Sequence, residues 1–150
     1  MKRLKPWIGP IVAALLIAVG VHVAAVLAAP GKIMAVAMDR IGGGGDRINR
    51  WSHAPRTSIR SRNIVRPSPD LAYSSCVYDL SKGPVRITAP RWDDYASLSI
   101  FAANTDNFYV INDRQMPPGG ADIVLILKGA AKPATRSAIV ESPSARGIAL

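Results

Sequence analysis

Tyr95-Ala96-Ser97-Leu98-Ser99-Ile100-Phe101-Ala102-Ala103-Asn104-Thr105-Asp106-Asn107-Phe108-Tyr109-Val110-Ile111-Asn112-Asp113-Arg114 is the stretch on which the fold turns. In Tyr95–Ala102, Leu98, Ile100 and Ala102 alternate with Ser97, Ser99 and Phe101, the period of two that a half-buried strand requires. Asn104–Asn107 is a polar turn. Phe108–Ile111 is a run of strand formers. The same punctuation extends in both directions. Upstream, Leu71–Leu80 carries Tyr73, Cys76, Val77 and Tyr78, and Lys82-Gly83-Pro84 turns. Val85 and Ile87 then alternate with Arg86 and Thr88, and Pro90–Asp94 turns again. Downstream, Pro117-Pro118-Gly119-Gly120 breaks the chain and Asp122–Leu127 is an apolar run of core-strand length. Lys128–Pro133 is a loop, Ser137–Glu141 a further strand, and Gly147–Leu150 begins another. Short strands at short, regular intervals predict an all-β domain, an antiparallel sandwich or partial barrel.

Before this domain the chain has a different character. Met1–Pro6 is a basic tail. From Trp7 to Ala29 the only polar side chain is His22. Twenty-odd apolar residues at 1.5 Å each cross a hydrocarbon core of about 30 Å, and a backbone in lipid has to be helical. Residues 7–29 are therefore read as one transmembrane helix, with Trp7 as interfacial anchor. The rival is a cleaved signal peptide, for which the basic start and Ala28-Ala29 speak; the length of the apolar run favours an uncleaved anchor. After Pro30, residues Ile33, Met34, Ala37, Met38 and Ile41 form a short helical stripe. Gly42-Gly43-Gly44-Gly45 reads as a hinge and Asp46 onward as a basic leash. The expected division is thus a tail at 1–6, a span at 7–29, a stripe, hinge and leash at 30–65, and a β domain at 66–150. The chain closes on Ile148-Ala149-Leu150 in mid-pattern. The expectation is either an open strand edge completed by a partner, or a fragment whose β domain is incomplete at its C-terminus.

Charge is unevenly placed. The chain has a net charge of +9, yet eight basic and eight acidic residues balance from residue 67 onward. The excess lies beside the apolar span, where it suits anionic lipid headgroups. A nucleic-acid domain would carry its basic patch on the fold, so no nucleic-acid partner is expected. Positive charge on both sides of the span leaves orientation undecided by count. The dense charge at the N-terminus favours an inside N-terminus, a single pass through a bacterial inner membrane, and a periplasmic domain.

Chemistry is sparse. The lone Cys76 cannot form an intrachain disulfide and reads as a small buried strand residue. No Cys or His spacing suits a metal, and no cofactor is expected. Ser52-His53 lacks a positioned acid. Asp79, Asp106 and Asp113 are available as acid and base for glycoside chemistry, but aspartates in such places more often form turns. Asn104, Asp106, Asn107 and Asp113 offer only scattered calcium ligands. Tyr73, Tyr78, Trp92, Tyr95 and Tyr109 read as packing residues before they read as a sugar or lipid groove. No catalytic residue is assigned. The candidate contact surface for a ligand or an envelope protein partner is Arg66, Asp70, Tyr73, Asn104, Asp106, Asn107, Asn112, Asp113 and Arg114, its arginines suited to bidentate pairing with anions. The favoured function is a membrane-anchored binding or interaction module without catalysis; the alternative is a subunit of an enzyme acting on envelope carbohydrate or lipid.

Three segments carry a family likeness: Arg66-Pro67-Ser68-Pro69-Asp70-Leu71-Ala72-Tyr73-Ser74-Ser75, Val77-Tyr78-Asp79-Leu80-Ser81-Lys82-Gly83-Pro84-Val85 and Asn104–Arg114. They resemble the bacterial domain-of-unknown-function 1254 family, over about Trp51–Leu150. The resemblance implies an all-β domain in an envelope protein. Short members are similar in having one N-terminal membrane segment before a reduced domain, and longer members carry a second β domain. No activity comes with the family name, so no catalytic residue is carried over.

Overall fold

The computed structural model describes residues 5–61 and 67–150. Its first element, α1 (Lys5–Gly42), is one helix of 38 residues with Pro10 and Pro30 inside it. At 1.5 Å per residue it is about 57 Å long, nearly twice what a bilayer core needs. The surplus is not free. Through the apolar segment the side chains are exposed, and an 18-residue window there reaches a mean hydropathy of 2.7 with none of it buried in the protein. By length and composition this segment is able to cross a membrane. From Pro30 onward one face turns inward: Met34, Ala37 and Met38 are buried against Val77 and Ile148, with Ile41, Ile48 and Phe101 alongside. Pro30 stands between the expected span and the expected stripe, and the helix runs through it. A proline inside a helix costs about 3 kcal/mol. Burying two methionines returns about as much at 1.5–3 kcal/mol each, so packing carries the helix on to Gly42.

The glycine run is a tight reversal rather than a hinge. Gly43, Gly44 and Gly45 take φ of 60°, 69° and 118°, which side-chain-bearing residues rarely adopt, and the Arg47 amide donates to the Gly42 carbonyl at 3.0 Å. The chain turned back in this way is sewn to the sheet. Ile48 bridges Val77. The Asn49 amide donates to the Val77 carbonyl at 2.8 Å, and its side chain exchanges two hydrogen bonds with the Asp79 backbone at 3.1 and 2.8 Å. β1 (Trp51–His53) follows as a strand, where a leash was expected.

The remaining strands are β2 (Ser74–Asp79), β3 (Val85–Ala89), β4 (Ser97–Ala102), β5 (Asn107–Asn112), β6 (Ala121–Leu127), β7 (Ala138–Ser142) and β8 (Arg146–Ala149). They form a five-stranded antiparallel sheet in the order β1-β2-β8-β4-β5 and a three-stranded sheet in the order β3-β6-β7. All-β architecture behind a single long helix is thus what the chain adopts. Two details depart from expectation. β7 runs parallel to β6, because Lys128–Ser137 carries the chain back to the start of β6 before it pairs. And β8 is no open edge: Ala149 pairs with Cys76 on one side and Ile100 on the other, and Leu150 exchanges two bonds with Ser99 at 2.8 Å. Strand order across a sheet leaves no trace in strand pattern, so only the structure reveals it.

The main core lies between the sheets, where Tyr78, Ile87, Leu98, Ile100, Ile123 and Leu125 are nearly or fully buried. The Tyr78 hydroxyl reaches the Phe101 carbonyl at 3.1 Å and the Ser142 hydroxyl at 3.0 Å, and Ser142 donates to the Ser144 carbonyl at 2.7 Å. Cys76 faces the same core at 4% exposure. Burial pushes its thiol from 9.0 up to about 11, about a hundredfold fewer thiolates at a given pH. A thiol reagent at pH 8 is therefore expected to leave the folded chain untouched and to label it fully in denaturant; labelling at the rate of a free cysteine without denaturant would contradict this burial. The folded pKa lies above the unfolded one, so this contribution to stability is complete below pH 9 and is lost as pH rises through about 11.

Candidate functional site

The residues expected to form one contact surface separate. Arg66 lies outside the described residues. Tyr73 is structural: its hydroxyl accepts the Ser68 amide at 2.9 Å, and its carbonyl accepts the Ala54 amide at 2.9 Å, which pins the proline-rich segment and β1 together. Asp70 is exposed beside it, its amide on the Ser68 hydroxyl at 3.4 Å.

Asn104, Asp106 and Asn107 form the β4–β5 turn and spend their polar groups there. Asn104 donates to the Asp106 carboxylate at 2.6 Å and accepts the Asp106 amide at 3.3 Å. With its amide turned to suit its neighbours, Asn107 donates to the Ile100 and Tyr109 carbonyls at 3.2 and 2.8 Å, across the irregularity between Ile100 and Phe101. Asn112, Asp113 and Arg114 lie at the other end of β5, about 17 Å away at the rise of a strand. The Asn112 side-chain oxygen accepts the Arg114 and Gln115 amides at 3.1 and 3.2 Å.

At that second end the chain does build a concavity. The Asp113 amide donates to the Ala96 carbonyl at 2.8 Å and draws the exit of β5 against the β3–β4 loop. Between them is a groove of about 380 Å³ lined by Asp93, Asp94, Tyr95, Asn112, Asp113 and Arg114. Tyr95 is 65% exposed and Trp92, on the same loop, 64%. Asp93 and Asp94 were read only as turn residues, and Tyr95 as packing. The signal available was two aromatics flanking paired acids in a loop, where no strand exists to bury them.

Elsewhere the charged groups serve the framework. The Ser81 hydrogen bonds, led by its side chain, hold the Asp79 carboxyl below its ordinary range, with Arg146 at 3.4 Å adding to them. Arg86 makes a two-pronged pair with Asp122 at 2.8 and 2.7 Å, and Ser137 donates to the same carboxylate at 2.9 Å; both lower its pKa. His53 Nδ1 meets the Ser74 hydroxyl at 2.8 Å directly across β1 and β2. Among the described residues no carboxylate bonds that histidine, and no three His, Cys, Asp or Glu side chains converge as a metal site.

A family model for proteins of unknown function matches residues 48–150. The chain belongs to the DUF1254 family. The match covers β1 to β8 and leaves α1 outside it. The chain is also similar to the crystal structure of the VPA0106 protein from Vibrio parahaemolyticus, with a TM-score of 0.63 at 12% identity over 84% of this chain. At that identity the likeness is one of fold. The chain spans 30% of that protein's length. No curated protein matches it. Within the DUF1254 domain, Asp106 and Asp113 sit at opposite ends of one strand. That distance is well beyond the roughly 5–10 Å between the carboxyl groups of a glycosidase pair.

Proposed function

We propose that this chain is a single-pass protein of the bacterial inner membrane whose periplasmic β domain is a binding module for an envelope partner, without catalysis. The groove between the β3–β4 loop and the exit of β5 is its contact site. One observation supports this above the others: Tyr95 stands exposed over a concavity that also offers Arg114, Asn112 and three carboxylates. A tyrosine beside an arginine is a frequent anchor of a recognition surface. The groove is open and lined by exposed and half-buried side chains, which suits binding better than chemistry that must exclude water.

A photo-crosslinking side chain placed at Tyr95 in living cells is expected to give a discrete adduct. The same group at Thr88, exposed on the three-stranded sheet, should give none. Arg114→Ala should cut the Tyr95 adduct about tenfold, the loss expected for one charge-assisted contact. Asp106→Ala, at the other end of β5, should leave it intact. Equal adducts at both positions, or indifference to Arg114→Ala, would remove the groove from the account. A catalytic reading has one point in its favour, the meeting of Asp93, Asp94 and Asp113 in one groove; hydrolysis of an envelope carbohydrate abolished by Asp113→Asn with the fold intact would establish it instead.

A further inference from the structure

We infer that the β domain rests directly on the bilayer, with the β4–β5 turn (Ala103–Asp106) in the lipid headgroup layer. The inference rests on the reading of residues 7–29 as a membrane span and goes beyond it, because it assigns a second lipid contact to the folded domain. Three observations carry it. The apolar span ends at Ala29, and burial against the domain begins at Pro30, which is half-buried, and deepens at Met34, 6% exposed. No spacer separates span from domain. The helix is continuous through that junction, so no loop is present to lift the domain away. And a side chain built on Gly31 would come 4.0 Å from the Ala103 carbonyl, which places the turn beside the first turn of helix past the span.

The distances decide the matter. Gly31 lies two residues past Ala29, about 3 Å along the axis. Adding the 4.0 Å contact puts Ala103 within about 7 Å of the hydrocarbon edge. Each headgroup layer is roughly 5–8 Å thick, and the usual 20° tilt of a span changes the axial rise by only a few per cent. The helix then passes obliquely across the sheet, from the end of β4 to Val77 in β2, which a side chain on Gly42 would meet at 3.7 Å. It climbs away from the turn, so the turn is the part of the hairpin left nearest the lipid.

The chemistry of the surface suits that position. Lys32 is exposed at the same level and offers an ammonium to lipid phosphate. The turn is small and polar, and several of its backbone amides are already bonded. The Ala103 amide donates to the Ser144 hydroxyl at 3.0 Å, the Thr105 amide to the Ala102 carbonyl at 3.0 Å, and the Ala102 amide to the Asp106 carbonyl at 2.9 Å. Those bonds leave fewer of its donors to be desolvated in a partly dehydrated layer. Trp7 sits about 36 Å below Gly31 along the helix, as an anchor in the opposite interface would.

The test is depth measurement on the full chain in phosphatidylcholine–phosphatidylglycerol vesicles. Spin labels go singly on Ala18→Cys, Lys32→Cys, Thr105→Cys and Asp70→Cys, with the buried Cys76 left in place. Oxygen and a water-soluble nickel complex report depth. Ala18 should be deep in lipid, Lys32 and Thr105 at the phosphate level, and Asp70 in water. If Ala18 is lipid-exposed but Thr105 matches Asp70, the domain stands clear of the bilayer and the inference fails alone, wherever Lys32 lies. If Ala18 itself is aqueous, the span reading fails and takes the inference with it. A label at Asn104→Cys, exposed in the same turn, gives a second reading should Thr105→Cys disturb it, and Lys32 reports the level of the helix.

Discussion

Gly147→Ala is expected to destabilise the domain by about 3 kcal/mol or more, lowering its thermal midpoint by at least 12 °C at about 4 °C per kcal/mol for a domain of this size. Gly147 sits in β8 between Tyr78 of β2 and Ala102 of β4. A methyl group there would fall inside contact distance of the Phe101 carbonyl and of the Tyr78 hydroxyl and ring. A flexible side chain would swing aside. A backbone carbonyl moves only if β4 and β8 part, and the Tyr78 ring is held by its bonds to Phe101 and Ser142 in a fully buried site. Against this, the unfolded chain loses entropy when alanine replaces glycine, a gain of only about 0.4–1 kcal/mol. Gly119→Ala is the control, because a methyl group there meets nothing within 4 Å, and it should stay within about 0.5 kcal/mol of the parent. In a Tyr78→Phe background the cost of Gly147→Ala should shrink but persist, since the hydroxyl goes and the carbonyl stays. Denaturant unfolding of the detergent-solubilised chain measures all three, and a Gly147→Ala domain within 1 kcal/mol of the parent would show that these strands separate easily.

That position also marks how far the sequence is readable. Period-two alternation in Val85–Thr88 and Tyr95–Ala102, and the apolar run Asp122–Leu127, located their strands to within two residues. Local pattern reports local conformation, so it did so without knowledge of neighbours. Whatever depends on neighbours was hidden. Trp51-Ser52-His53 is too short to show a period and becomes β1 only because β2 offers it an edge. Ile148-Ala149-Leu150 looked like an unfinished edge because nothing in it says that it enters between β2 and β4. The glycines at 43–45 read as loose because glycine permits disorder and tight left-handed turns alike, and the choice is made by Ile48 and Asn49 docking on β2.

The candidate site follows the same division. Asn112, Asp113 and Arg114 were selected as polar loop residues and do line a groove. Asn104 and Asp106 were selected on the same grounds and are consumed by their own turn. Composition treats the two turns alike; the difference is that the first turns its side chains on itself while the second opens a groove against the β3–β4 loop. Tyr95 and Tyr78 show the matching ambiguity among aromatics, one exposed over the groove and the other fully buried between sheets.

The second large effect expected is the release of the helix by Met38→Asp. Met38 is 9% exposed and packs with Met34 and Ala37 on Val77 and Ile148. The substitution removes about 1.5–3 kcal/mol of burial and sets a carboxylate against an apolar face, at several kcal/mol more unless it escapes to water. Escape is available, because the two faces of the five-stranded sheet carry separate cores. The side packed on β3, β6 and β7 does not depend on α1, so the cheapest response is to lift residues 31–42 off and keep the sandwich. Hydrogen exchange should therefore accelerate by about a hundredfold or more for amides at 34–42, while those of Tyr78, Ile100 and Leu125 keep their protection. Met38→Leu, close in volume, should change either set by less than about tenfold. Unaltered exchange in Met38→Asp would mean that the helix holds itself up and that docking contributes little. The consequence reaches beyond stability. With the helix docked, one continuous strut joins the apolar segment to the sheet, and in the membrane placement proposed above it would fix where the turn and the groove stand relative to the bilayer. With it released, the domain hangs from the helix by the Gly43–Gly45 turn, which then acts as the hinge that its glycines first suggested. In that state a label at Thr105 should lose its place at the phosphate level, while the groove keeps its own geometry.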